Sequence, residues 1–208
     1  FNPMMGLTAP TAAPAVNSLT IEEARQRAVG DVMRGVGRVL SKNPAGWSSS
    51  LGVLLQVRDI LRGATSKYDV EVSIAIVRDS ATGRYYVDPR SIVGGDDFCR
   101  GGGDTQCGVA PRLGARGAFT TPNINATIVG LIHTHPDDVH GWYSSERGMY
   151  GALATDTDAA LGAGFDAYII TRSGAVCRYV VVQRGRQVYG RTPEHVAGPS
   201  GSPSEGCN

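Results

Sequence analysis

Two histidines stand two residues apart near the middle of the chain, at the end of an apolar segment. The segment reads Gly-Leu-Ile-His-Thr-His-Pro and carries His133 and His135, with Pro136 directly after them. Side chains two positions apart on a strand project to the same face of a sheet, so the two imidazoles can converge on one ion. Zinc binds imidazole nitrogen and often takes three protein ligands plus a water in hydrolases. The pair therefore predicts a zinc site.

A hydrolytic zinc site also needs a third ligand and a general base, and acidic residues on both sides of the histidines offer them. Thr155 can cap a short helix, and Asp156 and Asp158 follow it. Because the helix dipole favours a carboxylate in the first turn, Asp158 is the first choice as third ligand and Asp156 is the alternative. Glu71 begins the first predicted strand and would take a proton from the attacking water if that strand lies beside the histidine strand.

The elements that must position these residues begin with two predicted helices. Apolar residues at helical spacing predict a helix over residues 21–40, and Thr20 and Glu23 form a capping-box pattern at its start. A second helix is predicted from a serine cap at residues 48–50 to Gly63. These helices form an N-terminal layer.

The pattern after the helices is typical of strands. Residues 70–77 and 84–87 predict a hairpin with its turn at 80–83, and a long glycine-rich loop is expected over residues 89–122. Further strands are predicted at residues 126–133, 165–171 and 175–183, with a short helix at 155–161. The near-continuous apolar run of residues 126–133 favours a central position in the sheet.

This order of elements predicts an α+β fold, with an N-terminal helical layer followed by a mixed or antiparallel sheet and one inserted helix. The predicted divisions are a flexible linker, the helical layer, the sheet domain that carries the histidines, and a flexible tail. They span residues 1–19, 20–66, 67–190 and 191–208, respectively.

Charge and hydropathy exclude some classes of function. The chain has 20 basic and 19 acidic residues, a net charge of +1, which argues against a polybasic protein that binds nucleic acid. No run of about eighteen apolar residues occurs, so no membrane span is expected. The hydrophobic fraction of 41% is sufficient for a packed core.

The four cysteines do not form a zinc-binding pattern. None of Cys99, Cys107, Cys177 and Cys207 belongs to a Cys-x-x-Cys pair, so a structural zinc knuckle is not expected. Cys99 and Cys107 bracket a glycine-rich loop, and two alternatives remain open for them. Either they form a disulfide, which would indicate that the protein works in an oxidising compartment, or they are two free thiols.

Together these motifs resemble the JAB/MPN (JAMM) metallopeptidase family, whose pattern is an early Glu, then His-x-His-Pro, then Ser-x-x-Asp. The match consists of Glu71, the segment His-Thr-His-Pro at 133–136, and Thr-Asp-Thr-Asp at 155–158, with Thr in place of Ser. Residues 71–86 are similar to the start of JAB-like domains at the C-termini of bacterial polymorphic toxins, including Rhs-type proteins. Residues 165–174 are similar to the strand and turn that follow the helix in those domains.

The resemblance implies a JAB/MPN-like, cytidine-deaminase-like core and a set of site roles. Zn²⁺ would be bound by His133, His135 and Asp158, Glu71 would be the general acid/base, and the Thr155 hydroxyl would help to hold the tetrahedral intermediate. The implied activity is cleavage of an amide or isopeptide bond by the toxin domain of a secreted bacterial effector. A protein or a peptidoglycan-type peptide would be the substrate, and an immunity protein is a candidate partner.

One departure from the family pattern leaves alternatives open. The Ser-x-x-Asp element usually follows the histidines closely, where this chain has Ser144 but Arg147 at the aspartate position. Either an insertion moves the element to residues 155–158, or the third ligand is lost or replaced. The first alternative predicts an active hydrolase, and the second predicts a non-catalytic binding module. A further hypothesis, a metal-dependent toxin that acts on nucleic acid, is disfavoured by the near-zero net charge.

Overall fold

The computed structural model describes residues 18–95, 118–121, 124–135, 166–179, 181–184, 187–190 and 194–198. The helices among them are α1 (Ile21–Lys42) and α2 (Ser50–Tyr68). The strands are β1 (Val72–Asp79), β2 (Tyr85–Gly94), β3 (Ala118–Thr121), β4 (Ile124–Thr134), β5 (Asp166–Ile170), β6 (Val176–Tyr179), β7 (Val181–Arg184), β8 (Gln187–Gly190) and β9 (Glu194–Ala197). None of these helices is long and apolar enough to cross a membrane.

Most of the strands form one mixed sheet. Its order is β2-β1-β4-β5-β6-β9, and β3 pairs in addition with the beginning of β4. The β4–β5 pair is parallel, and the other pairs along this order are antiparallel. Strands β7 and β8 form a separate two-stranded sheet. The predicted α+β class with a mixed sheet is confirmed, and so is the central position of the strand that carries the histidines.

The two faces of the sheet bury different sets of residues. Both helices pack on one face, where α2 contacts β1 and β4 and α1 contacts β2. Alternate residues of β1 and β4, such as Ile74 and Ile132, are fully buried against the helices. The opposite face carries a smaller apolar cluster that includes Ala75 and Leu131. Because side chains alternate along a strand, Ser73 and His133 lie on this second face.

The start of α1 follows the sequence prediction. The Thr20 side chain accepts a hydrogen bond from the Glu23 backbone N–H at 3.2 Å, and the Glu23 carboxylate accepts one from the Thr20 backbone N–H at 2.8 Å. This capping box satisfies two backbone donors that have no partner inside the helix. The helix begins at Ile21 as predicted and ends at Lys42, two residues beyond the prediction.

The Thr20→Ala variant should lower the free energy of unfolding by about 1 kcal/mol, because the Glu23 N–H loses its acceptor. Urea denaturation followed by circular dichroism measures this change. Thr20→Ser keeps the hydroxyl and serves as the control, with little expected change. Equal stability of all three proteins would contradict the capping assignment.

The two helices are joined by a polar contact around Asp31. Its carboxylate accepts hydrogen bonds from the Tyr68 hydroxyl at 2.7 Å and from the Lys67 ammonium at 3.0 Å. Arg34 contacts the same carboxylate from the next turn of α1. The Tyr68 hydrogen bond is the main reason why the pKa of Asp31 is lower than usual, and the two cations lower it further.

The predicted boundary of α2 is wrong at its C-terminal end. The helix continues through Gly63 to Tyr68 and ends at Asp69, which has a left-handed backbone with φ 58°. A glycine inside a helix costs about 1 kcal/mol relative to alanine. Burial of Ala64, Thr65 and Tyr68 after it offsets that cost.

The predicted loop over residues 89–122 is also partly wrong. Strand β2 continues through Pro89 to Gly94, and β3 begins at Ala118. Proline is tolerated here because β2 is the edge strand of the sheet and its pairing with β1 is irregular between Ser73 and Ala75. The first predicted strand, 70–77, is observed two residues later, so Glu71 directly precedes β1.

The C-terminal strands differ from the prediction in two ways. The single strand predicted at residues 175–183 is two strands, and β6 and β7 belong to different sheets. Strand β9 pairs with β6 inside the segment 191–208 for which the composition predicts a tail. The predicted short helix at residues 155–161 lies outside the described residues.

Candidate metal site

The two histidines lie at the end of the central strand β4. His133 belongs to the strand, and His135 directly follows its last residue, Thr134. The His135 backbone N–H still donates a hydrogen bond to the Ile170 carbonyl at 2.8 Å, which extends the pairing with β5. The backbone of both histidines is therefore fixed by the sheet, and their side chains share one face.

The imidazole rings converge as the sequence predicts. The two Nε2 atoms are 3.0 Å apart, and the ring centroids are 5.0 Å apart with a tilt of 48°. Only 7% of His133 and 8% of His135 is exposed. Two nitrogens that bind one tetrahedral zinc lie roughly 3.3 Å apart, given a zinc–nitrogen distance of about 2.0–2.1 Å. The observed spacing is close to that value, so the pair fits two corners of a zinc site.

Glu71 directly precedes the neighbouring strand β1, and continued alternation along that strand assigns it to the same face as the histidines. Strand β1 is antiparallel to β4, with Ser73 opposite His133. Continuation of this register by two residues places Glu71 opposite His135. Its backbone carbonyl accepts a hydrogen bond from the Gly95 N–H at 2.8 Å, and only 7% of the residue is exposed. Directly opposite residues have Cβ atoms about 4.5–5.5 Å apart, so this register brings Glu71 to the same end of the sheet as the histidine pair.

Thr134 holds the histidine strand from the opposite face. Its side-chain oxygen is hydrogen-bonded to the Thr65 hydroxyl of α2 and accepts a hydrogen bond from the Val72 N–H at 3.0 Å. Both threonines are at least 98% buried. The residue between the two imidazoles therefore connects the site to both the helix layer and β1, and the sequence analysis did not identify this role.

The third ligand predicted from the sequence lies outside the described residues. This is true of Thr155, Asp156 and Asp158, and also of Ser144 and Arg147, which occupy the alternative spacing. Within the described ranges, no group of three or more His, Cys, Asp or Glu is placed to hold a metal ion. The structure thus brings together the rings of His133 and His135, whereas the third ligand and the part played by Glu71 stay predictions.

One cysteine lies on the same face of the sheet. Cys177 pairs with Ile169 across β5 and β6, and Ile169 pairs with His133 across β4 and β5. Cys177 is disulfide-bonded, and it is the single cysteine within the described segments. Cys99, Cys107 and Cys207 lie outside the described residues, so the two alternatives for Cys99 and Cys107 stay open. The sequence analysis did not foresee a disulfide at Cys177.

Comparison with protein-family models, with curated proteins and with solved structures finds no match to the chain.

Proposed function

We propose that the chain is a zinc-dependent hydrolase that cleaves an amide or isopeptide bond, built on a JAB/MPN-like core. The observation that carries the proposal is the 3.0 Å separation of the His133 and His135 Nε2 atoms at the end of a central strand. A buried pair of imidazoles with converging Nε2 atoms suits a transition metal, and zinc is the metal that such hydrolases use most often. Glu71, directly before the adjacent strand β1, would supply the carboxylate that hydrolysis also needs.

Each residue has a defined part in the proposed reaction. His133 and His135 hold the ion, with Asp158 as third ligand and Asp156 as its alternative. Bound there, zinc would polarise the substrate carbonyl and lower the pKa of a water to about 7. Glu71 accepts a proton as the water oxygen bonds to the carbonyl carbon. It then gives that proton to the nitrogen as the carbon–nitrogen bond breaks. Thr155 would donate to the oxygen that becomes negatively charged.

The biological setting is part of the same proposal. The resemblance of residues 71–86 and 165–174 to toxin-associated domains supports a secreted effector that acts on a protein or a peptidoglycan-type peptide. An immunity protein is the expected partner. The disulfide at Cys177 supports an oxidising destination, because disulfides persist in such compartments.

Metal removal is the experiment that tests this function. Purified protein should cleave members of a panel of isopeptide-linked proteins and cross-linked peptidoglycan peptides. Treatment with 1,10-phenanthroline should abolish cleavage, and added zinc should restore it. The isomer 1,7-phenanthroline, which does not chelate, is the matched control. Undiminished cleavage by protein that elemental analysis shows to be metal-free would contradict the proposal.

The second candidate function is a non-catalytic binding module. Arg147 at the aspartate spacing of the family pattern favours it, because loss of the third ligand weakens the site. This alternative predicts no stoichiometric zinc in the purified protein and no cleavage of any member of the panel. The same purification therefore separates the two functions.

A further inference from the structure

Within the part of the chain that the structure describes, the Ser73 side chain is a buried polar group without a hydrogen-bond partner. Only 1% of the residue is exposed, and among the described residues its Oγ has no hydrogen-bond partner. A buried hydroxyl without a hydrogen-bond partner lowers the free energy of unfolding by about 1–3 kcal/mol, and native proteins rarely contain one. An unpartnered hydroxyl beside a candidate active site points to a group that binds there.

The position of Ser73 relates this hydroxyl to the histidines and to Glu71. Ser73 is directly opposite His133 in the antiparallel β1–β4 pair and two residues after Glu71. All of these residues belong to the face of the sheet opposite α1 and α2. The hydroxyl is thus placed beside the ring of one proposed zinc ligand, on the same strand segment as the proposed general base.

Ser91 on the neighbouring strand β2 shows what a structural serine looks like in this sheet. It is fully buried, its Oγ accepts a hydrogen bond from the Ala75 N–H at 2.7 Å, and its hydroxyl donates to the Asp88 carbonyl at 2.7 Å. Ser91 therefore satisfies both of its hydrogen-bonding capacities within the fold. Ser73 is almost equally buried, but its Oγ makes neither kind of hydrogen bond with the described residues.

We propose that Ser73 is a substrate-binding residue whose hydroxyl donates a hydrogen bond to the carbonyl oxygen of the bond to be cleaved. The inference rests on the proposed zinc hydrolase function and adds a donor from β1 to the one predicted at Thr155. As the attacking water bonds to the carbonyl carbon, this oxygen gains negative charge. A fixed donor in a buried site stabilises that charge strongly.

The test compares Ser73→Ala with Ser91→Ala in cobalt-substituted full-length protein. The probe is acetohydroxamate, which presents anionic oxygen to a metal, and its binding is measured by visible absorption of the cobalt. Ser73→Ala should bind cobalt as the wild type does but bind acetohydroxamate about tenfold more weakly or worse, because a hydrogen bond to a charged group is lost. Ser91→Ala should bind the probe as the wild type does.

Thermal unfolding of the metal-free variants gives a readout that is independent of the metal. Ser73→Ala should keep or raise the melting temperature, since it removes an unsatisfied polar atom. Ser91→Ala should lower it by at least about 2 °C, because two hydrogen bonds are lost. If Ser73→Ala does not fold, Ser73→Cys, a weaker donor of similar shape, should also weaken binding of the probe.

The outcomes separate this inference from the proposed function. A wild type that takes up no cobalt overturns the proposed function and this inference with it. A wild type that binds cobalt, with equal probe affinity in Ser73→Ala, overturns the inference alone. The inference alone is also overturned if cobalt-loaded wild type does not bind acetohydroxamate, or if Ser73→Ala is destabilised as much as Ser91→Ala.

Discussion

Replacement of His133 by alanine should weaken zinc binding by more than about 100-fold. Loss of an outer hydrogen-bond partner of a metal ligand already costs about 10–100-fold in affinity, and loss of the ligand itself removes a bond to the ion. The observed Nε2 pair would be reduced to the single imidazole of His135. Competition against a fluorescent zinc chelator measures the affinity, and elemental analysis of the purified variant measures the stoichiometry.

His195 provides the matched control for this experiment. It is an exposed histidine on β9, opposite Cys177 and away from the β4 pair. His195→Ala should retain the zinc affinity of the wild type, so that a general effect of losing an imidazole is excluded. A His133→Ala protein that binds zinc as tightly as the wild type would show that the ring is a structural core histidine.

The Glu71→Gln variant should lower kcat by about 10²–10⁴-fold while zinc content stays unchanged. Glutamine keeps the shape of the side chain but cannot accept and return a proton. Because Glu71 lies beside the histidine pair and is not one of the proposed ligands, the ion should remain bound. Steady-state kinetics on a substrate from the cleavage panel, with zinc measured in the same samples, tests both parts.

The control for this variant is Glu22→Gln on α1. The Glu22 side chain is 60% exposed, and the helix that carries it packs on the opposite face of the sheet. Its replacement should leave kcat unchanged. Two results would contradict the role of Glu71: wild-type turnover by the glutamine variant would exclude it as the base, and loss of zinc would make it a ligand.

Local signals in the sequence predicted the parts of the fold that carry the site. The capping box at Thr20 marks the start of α1, and the apolar run before His133 marks the central strand. The two-residue spacing of the histidines places both rings on one face because strand geometry alternates. The expected position of Glu71 beside them depended on strand order. The structure pairs β1 with β4 and places Ser73, two residues after Glu71, opposite His133.

Tertiary packing decided the features that the sequence analysis missed. Helix α2 continues past Gly63 because the residues after it are buried against the sheet. Strand β2 continues through Pro89 because an edge strand tolerates a missing N–H. Ser73 and Thr134 belong to no motif with a recognisable spacing. The sequence alone does not distinguish a structural hydroxyl residue from a functional one. Only the surrounding structure shows that the Thr134 hydroxyl is hydrogen-bonded, whereas Ser73 Oγ has no hydrogen-bond partner among the described residues.

The most direct test of the central claim is X-ray absorption spectroscopy of the zinc-loaded protein. The account predicts two imidazole nitrogens at about 2.0–2.1 Å from the zinc, with oxygen ligands completing a tetrahedral site. The imidazole signal should fall from two rings to one in His135→Ala. A spectrum with no imidazole in the first coordination shell, or with sulfur ligands in its place, would contradict the claim that the β4 histidines form the metal site.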